Sequence, residues 1–94
     1  MKLVWTTLAV QDLEAIREFI EVDDDAAARR VLGRVVSAVE VLAITPAIGR
    51  LGRVRGTREL VLVDVPYIVA YRVRAGVVEL LRVLHTSRRW PGRL

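Results

Sequence analysis

Three β-type apolar runs crowd the second half of the chain, and their spacing constrains the fold more than any other feature. They are Thr57–Val63, Tyr67–Val73 and Val77–His85. Asp64-Val65-Pro66 turns the chain between the first two, and Ala75-Gly76 is a hairpin signal between the last two. Turns this short join neighbouring antiparallel strands. With Ala75-Gly76 as the loop, Arg74 pairs with Val77 and Arg72 with Glu79. One face then carries Ile68, Ala70, Arg72, Glu79, Leu81, Val83 and His85. The other carries Tyr67, Val69, Tyr71, Val73, Val78, Leu80, Arg82 and Leu84. The second face is more apolar and is expected to pack on helices, leaving the first open and polar towards one end. A slip of one residue in the turn would exchange the two faces.

The first half supplies the helices. Lys2–Thr6 is short and β-capable, and Thr6 or Thr7 can cap a helix beginning there. Ala9, Leu13, Ile16 and Ile20 then recur at four-three-four spacing among charged residues, the pattern of an amphipathic helix. Asp23-Asp24-Asp25 interrupts it, and a carboxylate there caps a second helix and suits its positive end. That helix runs to about Ala43 with a stripe of Ala28, Leu32, Val35, Val39 and Leu42. Small residues, Gly33 among them, would let the two helices pack closely as an antiparallel hairpin. Gly33 weakens its helix by about 1 kcal/mol relative to alanine. Pro46 ends the helix, and Ile44–Gly56 reads as a flexible basic connector. Its glycines punctuate Arg50, Arg53 and Arg55, but without the spacing of a Walker loop and without lysine.

The order is therefore β-α-α-β-β-β, an α+β fold in one domain spanning 1–94. A 53 % hydrophobic composition excludes a disordered tail. With no cysteine and one histidine, neither a disulfide framework nor a thiolate or multi-histidine metal site is available, and no cofactor is expected. No apolar run approaches the ~20 residues of a membrane span. The N-terminus turns polar at Gln11-Asp12 and lacks a signal-peptide pattern, so a cytoplasmic protein is expected.

Charge is split along the chain. Residues 1–45 hold five Lys/Arg against eight Asp/Glu, whereas residues 46–94 hold ten against three. Positive charge on a small sheet implies an anionic partner, set against a solvated arginine surface that only aids solubility. His85 ends the last strand beside Arg88, Arg89 and Trp90; it serves as a general acid or base, or it caps the strand by hydrogen bonding. Arg72 opposite Glu79 is more often a cross-strand ion pair than a site. Arg58 opens its strand and could face phosphate. The Trp90 indole covers an edge of the core or presents a stacking platform.

Three segments in this order resemble one family. VWTTLAVQDLEAIREFI, TPAIGRLGRVRGTREL and PYIVAYRVRAGVVELLRVLHTSRRWP are similar to the opening strand and helix, the central Gly-Thr-Arg-Glu-Leu segment and the closing hairpin of RelE/ParE superfamily toxins, from bacterial type II toxin–antitoxin pairs. The resemblance covers nearly the whole chain. It implies a helical hairpin on a small antiparallel sheet, and a cognate antitoxin that wraps an otherwise exposed surface. Operator DNA would be met only through that antitoxin. RelE-like members enter the ribosomal A site and cleave messenger RNA with basic residues on the sheet and a C-terminal Tyr or His; ParE-like members poison DNA gyrase.

Carried over residue by residue, the resemblance leans to the ParE-like branch. The stretch where the nucleases often have lysines, Thr57-Arg58-Glu59-Leu60-Val61, has one arginine and no lysine. Ile68 stands where they carry an arginine, whereas Arg88 matches a basic position of theirs. His followed by Arg and Trp-Pro is common among ParE-like chains as well. The expectation is a gyrase-poisoning toxin that binds its target through Arg58, Arg88, Arg89 and Trp90, with Arg50, Arg53 and Arg55 steering the antitoxin. The alternative is a ribosome-dependent mRNA endonuclease using His85, Arg72 and Arg88, with Arg58. A third reading is a decayed member that only binds its antitoxin and operator DNA.

Overall fold

The computed structural model describes residues 1–94. In chain order it contains β1 (Lys2–Trp5), α1 (Thr7–Glu21), α2 (Asp25–Val41), β2 (Arg50–Leu51), β3 (Arg58–Val61), β4 (Tyr67–Arg74) and β5 (Val77–His85). Both helices start on the expected caps. The Thr6 hydroxyl accepts from the Ala9 N–H at 3.2 Å, and the Asp24 carboxylate accepts from the Ala27 N–H at 3.0 Å. Asp25 sits in the first turn of α2, where the helix dipole favours it. Gly33, however, is exposed, and a Cβ built there would touch nothing. It does not serve close helix packing; the fully buried Ala9 and Ala28 are the small residues on the inward faces of α1 and α2.

The sheet has five strands in the order β1-β5-β4-β3-β2. It is mixed, not purely antiparallel, because β1 runs parallel to β5. The helical hairpin brings the chain back across the sheet, so β1 is free to close the edge that β5 leaves open. The extra strand β2 falls inside the segment expected to be a connector. That connector is pinned as well. The Tyr71 hydroxyl, on a fully buried ring, donates to the Pro46 carbonyl at 2.7 Å and accepts the Gly49 N–H at 2.9 Å. Any Cβ at Gly49 would lie 2.5 Å from that hydroxyl, so the approach requires glycine.

The β4–β5 hairpin pairs Arg74 with Val77 and Arg72 with Glu79, as the turn predicts. Further along, a bulge opposite Ala70 and Tyr71 leaves Leu81 as an extra residue. Beyond it Val69 faces Val83 and Tyr67 faces His85. This corrects the face assignment. Val83 and His85 move to the side of Tyr67 and Val69, and Arg82 and Leu84 move to the side of Ala70 and Ile68. The core is the helix-facing layer of Ala9, Val35, Val39, Leu42, Val69, Tyr71, Val78, Leu80 and Val83 with their neighbours. Val73, expected in that layer, is exposed.

Two groups of α1 and its cap hold the bulge in place. The Thr6 hydroxyl donates to the Leu80 carbonyl at 2.7 Å, and Asp12 accepts the Val83 N–H at 2.9 Å. Asp12 also takes Arg82 in a two-point pair at 2.8 and 2.9 Å, which holds the guanidinium above its ordinary pKa. The Val83 N–H is thus satisfied by a side chain, and the Leu80 carbonyl takes the Thr6 backbone N–H at 3.2 Å as well as its hydroxyl.

Candidate functional site

The second face of the sheet is not open. Ile68, Ala70 and Leu81 lie outside the main apolar cluster yet are buried. In the chain beyond His85, the Trp90 ring lies under the Arg53 guanidinium with Cζ 3.8 Å from the centroid, a cation–π contact. Arg53 in turn bonds Glu59, which shares a face with Ala70 by register. To the two alternatives read from the sequence, core cover or stacking platform, the structure adds that one face of the Trp90 ring is taken by an arginine. Its Nε1–H is buried without an acceptor.

Glu59 organises this region. Only 3 % exposed, it accepts from Arg50 Nε and Nη2 at 3.1 and 2.8 Å, and from the Arg53 backbone N–H and Nε at 2.9 and 3.2 Å. Burial pushes its carboxyl up, but the Arg53 N–H and the two guanidinium groups together outweigh that and hold it below the ordinary carboxylate value. The pull on Arg50 also explains β2, since Arg50 is the register partner of Glu59. Arg58 is a loop clamp, donating to the Gly49 carbonyl at 2.8 Å. Of the expected steering residues, Arg50 and Arg53 are half-neutralised by one buried acid, and Arg55 is exposed with no carboxylate partner.

His85 lies elsewhere. It borders a groove of about 120 Å³ between α1 and the end of the β4–β5 ladder, with Phe19, Tyr67 and Arg88. Tyr67 meets it edge to face, with ring centroids 5.3 Å apart. Burial raises the Tyr67 phenol, and the Arg88 charge opposes the shift. His85 Nδ1 accepts the Ser87 backbone N–H at 3.1 Å, and the Ser87 hydroxyl is 2.8 Å away. Nδ1 is therefore engaged within the tail itself. Arg72 is at the other end of β4, bonded to Glu79 at 2.7 Å, a bond that holds the Glu79 carboxyl down. Five residues of strand separate its position from that of Tyr67, about 17 Å at ~3.3 Å per residue. The structure brings His85 near Arg88 and leaves Arg72 apart.

Exposed large apolar side chains include Leu8, Phe19 and Val22 on α1 and just beyond it, Ile44 and Ile48 in the loop after α2, and Leu51, Val61 and Val63 at the β2–β3 edge, the last 95 % exposed. The Glu59 hub and the Arg53–Trp90 contact were missed by sequence reasoning. Only the crowding of arginines around one glutamate in 50–59 signalled them.

Comparison with known proteins gives a consistent assignment. A family model described as the ParE toxin of the type II toxin–antitoxin system parDE matches residues 3–90. The Sinorhizobium fredii protein named "Putative toxin Y4kP" is 48 % identical over 90 residues, spanning 96 % of this chain and 93 % of the relative. Toxin RelE2 of Caulobacter vibrioides is 40 % identical over 87 residues, spanning 93 % and 97 %. A solved chain described as the chromosomal ParDE TA system from P. aeruginosa superposes with a TM-score of 0.85 at 29 % identity, covering 93 % of this chain and 97 % of its own.

Proposed function

Since the chain belongs to the ParE toxin family of type II toxin–antitoxin systems, we propose that it arrests bacterial growth by binding and poisoning DNA gyrase, and that a cognate antitoxin neutralises it. The observation that carries a binding rather than a catalytic role is the placement of the only histidine, apart from Arg72 and hydrogen-bonded within its own tail. In-line attack by a 2′-oxygen needs one group to take a proton, another to give one, and cations to hold the phosphate charge. Nδ1 of His85 is engaged by the Ser87 N–H, and Arg72 is committed to Glu79 at the far end of the strand. The exposed apolar side chains of α1 and the β3 edge are the surface the antitoxin is proposed to cover.

The test is induction in bacteria, with growth, plasmid topology and protein synthesis followed together. The expected result is arrest with plasmid recovered relaxed or cleaved while translation continues, relieved by co-expression of the antitoxin. Normal growth at high soluble expression contradicts a toxic activity.

Two observations support a second reading, ribosome-dependent cleavage of messenger RNA: Tyr67, His85 and Arg88 border one groove, and a relative bears the name Toxin RelE2. On that reading His85→Ala loses about 10²–10⁴ in cleavage rate while target binding stays intact.

A further inference from the structure

From residue 46 onward every carboxylate side chain is committed. Glu59 holds Arg50 and Arg53, Asp64 holds Arg34, and Glu79 holds Arg72 and Arg74. Asp12, the acid nearest the groove, is taken by Arg82. Of the cations left without a carboxylate, Arg58 is clamped to loop carbonyls. The other four, Arg55, Arg88, Arg89 and Arg93, are exposed. Arg53 stacked on Trp90 ties the 50–58 loop to the C-terminal tail, which brings their chain segments together. Arg55 follows Arg53 by two residues, and the other three lie within three residues of Trp90.

We infer that this cluster around Trp90 is a binding site for the phosphate backbone of DNA. The inference deepens the gyrase reading and rests on it for its biological setting: the toxin would hold the target enzyme together with the DNA that enzyme is processing. Two physical points favour a nucleic-acid backbone, although Arg88 also borders the α1 groove beside Phe19. Duplex DNA presents one charge per ~1.7 Å of axis, so several guanidinium groups can engage at once and release counterions. Arginine forks match phosphate oxygens in two-point contacts. The buried Trp90 Nε1–H also lacks an acceptor at the centre of the cluster, and a phosphate oxygen admitted beside it would supply one.

The test is fluorescence anisotropy of a labelled random-sequence duplex titrated with the purified toxin, without gyrase, from 50 to 200 mM salt. With about four phosphates engaged and a slope of about −0.9 per phosphate, affinity falls about 150-fold across that range. The Arg88→Gln/Arg89→Gln double variant is expected to fall only about 12-fold, its slope smaller by about two contacts. An Arg17→Gln/Arg29→Gln double variant, equal in net charge but altered on the helices, keeps the wild-type slope. Thermal melts of both variants establish that they are folded. No duplex binding at 50 mM salt, or equal slopes for the two double variants, overturns the inference. So does a result in which only antitoxin association loses salt dependence in the Arg88/Arg89 variant. Gyrase poisoning that persists without duplex binding overturns this inference alone and leaves the target reading standing.

Discussion

Replacing Glu59 with glutamine keeps the shape of a buried side chain and removes the charge that organises the 50–59 loop. The carboxylate accepts four hydrogen bonds, two at each oxygen. A glutamine retains one acceptor oxygen and turns two donors towards donors, so at least two of the four are lost. Hydrogen bonds to a charged group are worth about 1.5–3 kcal/mol each. Arg50 and Arg53 are themselves about half exposed and regain water when released, which discounts the loss. The net cost is about 2 kcal/mol, a fall in Tm of roughly 10 °C for a domain of this size. The assay is urea unfolding followed by tryptophan fluorescence, repeated from pH 7 into acid. Because the folded-state pKa of Glu59 lies below its ordinary value, its contribution is complete above the unfolded value. It is lost as pH falls through the folded one. Wild type and variant should therefore converge in acid. A difference below about 0.5 kcal/mol at neutral pH, or one that persists unchanged into acid, refutes the role given to Glu59.

Three other perturbations probe separate parts of the molecule. Tyr71→Phe strips both partners from the Pro46 carbonyl and the Gly49 N–H and is expected to cost about 2–4 kcal/mol, read by chemical denaturation. Asp12→Ala unpairs Arg82 and the Val83 N–H at the bulge; a loss of about 2–3 kcal/mol is expected, with faster hydrogen exchange at Val83 than in the wild type. Phe19→Ser, at a position 72 % exposed, should leave stability within about 0.5 kcal/mol, yet weaken antitoxin binding by more than tenfold in calorimetry.

The local parts of the fold were legible in the sequence. Thr6 and Asp24 are capping residues before clear helical stripes, and Ala75-Gly76 fixes a hairpin whose near pairs can be counted off from the turn. The bulge was not legible, because Leu80 and Leu81 are both apolar and alternation cannot tell which one is extra. What stabilises it is Asp12, seventy-one residues from Val83 in sequence. The parallel pairing of β1 with β5 is equally non-local, and nothing in Leu3-Val4-Trp5 names its neighbour. In the candidate site, the arginines could be read but their partners could not. Arg50, Arg53, Arg58 and Arg72 look alike in sequence to Arg55, Arg88 and Arg89. Burial of Glu59, the loop carbonyls and the cross-strand Glu79 separate the committed cations from the uncommitted ones.

The central claim is action on gyrase by binding, without chemistry at His85. The direct measurement places wild-type and His85→Ala proteins with gyrase, ATP and plasmid in one reaction, and with programmed ribosomes in another. Both proteins are expected to block supercoiling and trap cleaved plasmid to the same extent, and messenger RNA on the ribosome is expected to stay intact. Codon-dependent cleavage in the A site by the wild type, abolished by His85→Ala while gyrase is unaffected, would contradict the claim.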